Sequence, residues 1–202
     1  MDRSCNMNDG VGVIVPSAFE AAFLEGVGGV YISGMGKLRA AAAVQALVRD
    51  YGCRRILLAG FCGGLSDCKP GDVVQPWRIM ECDYDARPLE IWPNMIHVQS
   101  GGMLKSGGEW ATFMCQDRFI MDNPYAEMDL GGPAVTEMEA YAVALTASTL
   151  GVPFNVVKIV SDMADGSADK DFAESCRRLA GKLAATIARA VEEIKEAGFG
   201  ED

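Results

Sequence analysis

Two acidic residues stand where buried strands run out. Glu139 closes the stretch Ala134–Glu139, at the point where a helical pattern over Ala140–Leu150 begins. Asp162 follows Phe154–Val160, an almost purely apolar run. Open α/β sheets bind ligands at the carboxyl ends of their strands. A pair of such acids therefore suits one group that grips a polyol and one that handles a proton. For each acid alone, a helix N-cap or a solvated loop charge is the plain alternative.

Other residues extend this set. Asp162 sits among Val160, Ser161, Met163 and Ala164, so desolvation is expected to hold it partly protonated, as a general acid requires. Glu20 lies on the first helical segment and can serve as a base for water, or be an ordinary exposed helix residue. Phe119 can stack on a flat ligand or belong to the core. Lys158 is a cation inside an apolar strand, either snorkelling at an edge or placed in a site. The single histidine, His97, falls in an irregular region, which argues against a Ser/His/Asp hydrolase.

The elements that must position these groups alternate between strand and helix patterns. Strands are expected at Val11–Val15, Val30–Ser33, Arg55–Ala59, Val73–Trp77, Ile79–Cys82, Thr112–Cys115, Ala134–Glu139 and Phe154–Val160. Helices are expected over Ala18–Glu25, with Ser17 as N-cap, and over Leu38–Tyr51, with Gly52 as the stop. Two more are expected over Ala140–Leu150 and Ala173–Ala197. The last carries Leu179, Leu183, Ile187, Val191 and Ile194 at helical spacing. Asp83–Gly108 reads as loop, and Asn123–Gly132 as turn. The alternation predicts an α/β fold with a largely parallel or mixed sheet and helices on both faces, in one domain over 1–202.

Two glycine-rich segments, Gly34–Lys37 and Gly60–Leu65, read as loops whose free amides can face an anion or a polar ring. Neither has the spacing of a phosphate-binding motif.

Composition narrows the function. A net charge of −10 argues against nucleic acid as a partner. The 7 cysteines show no CxxC spacing and have only His97 to join them, so no metal site is expected and reduced thiols are. Met1–Gly10 lacks a basic-then-apolar leader pattern, and no apolar run is long enough to span a bilayer. A cytoplasmic protein with no membrane partner is expected.

Taken in order, the stretches Ser33–Lys37, Ala59–Leu65 with Pro70–Val74, Asp117–Ile120, Thr136–Ala140 and Val152–Asp165 resemble the nucleoside phosphorylase/nucleosidase superfamily, and within it the methylthioadenosine/S-adenosylhomocysteine nucleosidases. The resemblance implies a three-layer α/β/α sandwich around a twisted mixed sheet, in a trimmed version. It implies hydrolysis of the N-glycosidic bond of a purine-type, 5′-modified adenosine-like nucleoside, with no cofactor, in a homodimer.

By resemblance, Asp162 protonates the purine at N7 and Glu20 activates water. Glu139 grips the ribose hydroxyls, with Glu137 beside it and Met138 packed on the sugar. Phe119 stacks on the base and the Ile120 backbone reads its edge. Phe61, Cys62, Gly63, Lys158 and Ser161 complete the substrate contacts.

The chain departs from the family at Phe61, where a small hydroxyl residue is usual, and at Lys158, where the nucleosidases carry arginine. The interval from Glu20 to Ser33 is too short for the family's extra hairpin. The region Asp83–Gly108 lacks a full helix that the family has there. A futalosine hydrolase-like enzyme, a nucleoside phosphorylase (including one acting on adenosylhopane) and a catalytically silent nucleoside-binding protein are the other readings.

Overall fold

A computed structural model describes residues 10–22, 24, 29–84, 87–90, 95–98, 104–165 and 168–198. The β-branched run Val11–Val15 forms β1, buried along its whole length. Ser17 then caps a single turn, α1 (Ala18–Ala21), by accepting from the Glu20 N–H at 3.2 Å. The predicted helix to Glu25 is therefore shorter: α1 ends at Ala21, and residues 23 and 25–28 lie outside the described residues.

β2 (Val30–Ile32) pairs in parallel with β1 at the sheet edge. α2 (Lys37–Arg49) starts one residue before the predicted helix and ends two before its predicted end. Gly52 follows with φ +69°, a left-handed turn that a side chain disfavours.

β3 runs from Arg55 to Ser66 and so corrects the sequence reading of Gly60–Leu65 as a loop. Gly63 and Gly64 lie in β3 between two neighbouring strands. β3 pairs in parallel with β8 (Phe154–Met163) and antiparallel with β7 (Ala134–Glu137). A Cβ on Gly63 would stand 3.1 Å from Thr136 Cγ2, so glycine permits the close approach of β7. Bulges at Cys62/Gly63 and Gly64/Ser66 bend the strand there.

β4 (Val73–Glu81) joins the two predicted segments 73–77 and 79–82 into one strand. A register shift between Pro76 and Arg78 against β6 (Glu109–Cys115) explains the apparent break. The region read as loop also holds a strand, β5 (Met95–His97), antiparallel to β4, together with short 3₁₀ turns at Arg87–Leu89 and Lys105–Gly107. Residues 85–86, 91–94 and 99–103 of that region lie outside the described residues.

The sheet order is β2-β1-β3-β7-β6-β4-β5, and β8 pairs with both β3 and β4. The strands β3, β7, β6, β4 and β8 thus close on one another in a ring, to which β1 and β2 are attached through β3. On one face α2 and α3 (Ala140–Thr149) bury Ala40, Val44, Leu47, Tyr141 and Val143 against Ile14, Leu58 and Val156. On the other face α4 (Ala168–Glu196) buries Cys176, Leu183, Ile187 and Ile194 against Val13, Leu57 and Ile159. This is the α/β/α arrangement around a mixed sheet that the alternating pattern predicted. The strands carry their side chains to both faces, which is why β1 and most of β3 are apolar.

Candidate active site

The ends and bends of β1, β3, β6, β7 and β8 converge on a cavity of about 310 Å³. β1 delivers Pro16, Ser17, Phe19 and Glu20 through the capped turn of α1. The bulged part of β3 delivers Phe61, Cys62 and Gly63, and β8 delivers Ser161 and Asp162. Thr136–Glu139 enter from the β7–α3 junction, and Arg118, Phe119 and Ile120 from the chain after β6. Met35 and Phe172 complete the lining. Of the residues singled out from the sequence, all line this cavity except Lys158, which lies beneath it.

Lys158 is fully buried in β8 and is no edge residue. Its Nζ stands 3.2 Å from Glu139 Oε2 and 3.6 Å from Glu137 Oε2. Burial opposes its charge, but the attractions of Glu139, Glu137 and Glu20 outweigh that and push its pKa above the usual lysine value. It stays a cation, and it is the counter-ion of a cluster of buried carboxylates.

Glu20 is buried, not the exposed helix residue its position allowed. Its Oε1 accepts from the Phe61 N–H at 2.9 Å and its Oε2 accepts from the Ser17 hydroxyl at 2.7 Å. Burial raises its pKa above the ordinary carboxylate value, and Lys158, Ser17 and Phe61 partly oppose the rise. A Cβ on Gly60 would lie 2.5 Å from Glu20 Oε1, so the adjoining glycine leaves the carboxylate its place.

Glu139 occupies the N-cap position of α3, yet its side chain makes no capping bond. It reaches across the fold instead: Oε1 accepts from the Gly36 N–H at 2.9 Å, while Oε2 faces Lys158. Capping falls to Glu137, whose oxygens accept from the amides of Glu139 (2.9 Å) and Ala140 (2.8 and 3.0 Å). Burial pushes the Glu137 carboxyl upward against the pull of Lys158. Its oxygens thus already serve the chain that turns into α3.

Asp162 is buried, and its Oδ2 lies 2.5 Å from the Ser161 hydroxyl oxygen. Ser161 also contacts the Cys62 carbonyl at 3.1 Å. Burial lifts the Cys62 thiol well above its ordinary value, which keeps it uncharged in the lining. Phe61 belongs to the buried cluster that includes the apolar face of α4, and it also lines the cavity. Phe119 is 48% exposed and meets Phe172 edge-to-face at 5.7 Å.

The amides of Gly36 and Lys37 do face negative charge, as the sequence suggested, but it is that of the protein's own carboxylates. The Gly36 N–H is taken by Glu139 and the Lys37 N–H by Asp117, at 2.7 Å. Sequence reasoning missed Phe172, which carried no signal beyond helical spacing. It also missed Arg118 and Thr136 as lining residues, although both sit inside the motifs it quoted.

The fold and the site define an α/β protein with a carboxylate-lined pocket at its strand ends. The chain belongs to the Phosphorylase superfamily, whose family model matches residues 24–101 and 111–192. It is 29% identical over 185 residues to a 5′-methylthioadenosine/S-adenosylhomocysteine nucleosidase of Actinobacillus succinogenes, covering 75% of this chain and 78% of that relative. It is 24% identical over 184 residues to an aminodeoxyfutalosine nucleosidase of Helicobacter pylori, covering 82% of this chain and 80% of the relative. Its fold matches a crystal structure of the Neisseria meningitidis 5′-methylthioadenosine/S-adenosylhomocysteine nucleosidase in complex with methylthio-immucillin-A. The TM-score is 0.81 at 24% identity, over 91% of this chain and 99% of that one.

Proposed function

We propose that the chain is an N-glycosidase that hydrolyses a purine-type, 5′-modified adenosine-like nucleoside to free base and ribosyl product. The observation that carries this reading is the charge of the pocket. Glu20, Glu137, Glu139 and Asp162 line it, and one buried lysine is shared among the three glutamates. Cleavage of a ribosyl–base bond passes through an oxocarbenium-like centre, which such a field stabilises. The same field disfavours a phosphate nucleophile. The Phe61 amide that could bind one is already held by Glu20.

In the proposed step, Glu139 is fixed by Lys158 and the Gly36 amide and holds the ribose hydroxyls. Met138 packs on the sugar, Phe119 stacks on the base, and the Ile120 backbone reads its edge. Asp162 gives a proton to N7 as the C1′–N9 bond breaks, and the bonding pair leaves with the base. Water adds to C1′, and Glu20 takes its proton. The whole chain acts as one unit over 1–202, as a cytoplasmic homodimer that needs no cofactor. No helix among the described residues is long and apolar enough to cross a membrane.

The test is release of free base from a nucleoside panel with and without phosphate. The panel includes 5′-methylthioadenosine, S-adenosylhomocysteine and aminodeoxyfutalosine, the substrates named for the relatives. Base and a reducing sugar should form at the same rate in both conditions. A sugar 1-phosphate among the products, or base release only with phosphate, overturns hydrolysis. Asp162→Asn should lower kcat by roughly 10²–10⁴-fold, the usual worth of a positioned acid. Full activity in that variant removes the proton role from Asp162.

A further inference from the structure

Lys37 is the first residue of α2 and does not line the cavity. Its Nζ lies 2.6 Å from Glu81 Oε1 and 2.6 Å from Asp83 Oδ2. Its backbone N–H donates to Asp117 Oδ1 at 2.7 Å. The Asp117 N–H in turn donates to Asp83 Oδ2 at 2.6 Å, and the Asp83 N–H to Glu81 Oε1 at 2.9 Å. Three segments far apart in the sequence are joined by these bonds: the turn before α2, the end of β4 and the end of β6.

The cavity lies on both sides of this junction. Met35 lines it just before Lys37, and Arg118, Phe119 and Ile120 line it just after Asp117. Between them the Gly36 N–H holds Glu139. Gly36 has φ +96°, and a Cβ there would come within 3.1 Å of Asp117 Oδ1, so the turn leaves little room for adjustment. An isolated surface ion pair of this kind would add little to stability. This one is a lysine shared by two carboxylates, tied into backbone amides of both cavity walls.

We infer that Lys37 is a positioning residue for the reaction proposed above. By drawing Glu81 and Asp83 together it sets the Asp117–Ile120 segment, and with it the Phe119 ring, against the turn that orients Glu139. The inference rests on the reading of the cavity as a nucleoside site. It assigns the fit between the base platform and the sugar-gripping acid to a charge that touches neither.

Two variants test it, Lys37→Met and Lys37→Arg, each followed by amide hydrogen exchange and by steady-state kinetics. In Lys37→Met, exchange should quicken in the peptides covering 34–38 and 116–120 and stay slow in those covering β1 and β3. KM for the nucleoside should rise about tenfold, the scale of one charge-assisted contact, with kcat within about twofold. Lys37→Arg, which keeps the charge and can bridge both carboxylates, should restore most of the KM. Faster exchange throughout the chain, or quickened local exchange with an unchanged KM, overturns the inference. Should the wild-type protein release no base from any nucleoside, the proposed function falls separately. The exchange pattern then decides the clamp alone: local loosening supports it and global loosening refutes it.

Discussion

Lys158 and Lys37 each hold a group of carboxylates, and the two groups differ mainly in access to water. Lys158 is fully buried among Glu20, Glu137 and Glu139. Lys37 and its partners Glu81 and Asp83 keep side-chain exposures of 16%, 11% and 37%. In both places the lysine pKa is pushed upward although burial opposes its charge. At Lys37 the opposing pull comes from Asp83 and Glu81 at hydrogen-bond distance; at Lys158 it comes from Glu139, also at hydrogen-bond distance, with Glu137 and Glu20 adding to it. Water can replace a lost partner at the rim but not in the interior. The buried group should therefore govern both folding and chemistry, and the rim group only geometry.

Lys158→Met gives the largest expected effect. It leaves buried acids facing one another without a counter-ion, and loss of about 3–5 kcal/mol in urea denaturation is expected, with no measurable turnover. Lys158→Arg keeps the charge and should fold, which separates the loss of charge from the loss of volume. A Lys158→Met protein as stable as Lys37→Met would break the comparison.

Glu20→Gln comes next, with kcat reduced by about 10²–10⁴-fold if Glu20 accepts the proton of water. Burial raises the Glu20 pKa above its ordinary value of 4.5, and the base must be ionised to work. The kcat/KM profile of the wild type should accordingly rise with pH through an inflection above 4.5. The same shift acts on stability in the opposite sense. A carboxyl raised in the folded state contributes fully below its unfolded pKa, and that contribution is lost as pH rises through the folded value. Replacing Glu20 by Gln should flatten this part of the curve of denaturation midpoint against pH.

Gly60→Ala is expected to act through Glu20 without touching its charge. The new methyl would meet Oε1 and drive the carboxylate off the Phe61 amide. A fall in kcat of about 10–100-fold is expected from such misplacement. The accompanying loss of stability should be about 1–3 kcal/mol. Unchanged kinetics would show that the carboxylate has more freedom than its hydrogen bonds imply.

The smallest effect belongs to Asp83→Asn. A change in stability below about 1 kcal/mol is expected. It should shrink further in 1 M salt, where the screening length is about 3 Å. A larger, salt-independent loss would place the rim group with the buried one.

Much of this was legible before any coordinates. The apolar runs of β1 and β8 and the helical spacing of α4 declare themselves locally, because burial on both faces or on one stripe needs a periodic pattern. The candidate site residues were legible as well, and all but Lys158 reached the cavity wall. Glycine misled at Gly60–Leu65, since its local signal is a turn while here it serves close strand pairing. The strand β5 was hidden because a short edge segment carries too little pattern to stand out. Glu137 and Glu139 read alike in the chain; only folding shows that one caps a helix and the other reaches Gly36.

What the chain determined alone is the set of parts: alternating strands and helices, acids at strand ends, and a single cation within an apolar run. Those follow from near-neighbour physics, which spacing and polarity record. Tertiary structure decided which acid meets which cation, which amide is already occupied, and that burial raises the Glu20 and Glu137 carboxyls. These depend on distances between residues such as Gly36 and Glu139, or Lys37 and Asp83, that approach only when the sheet closes and water leaves.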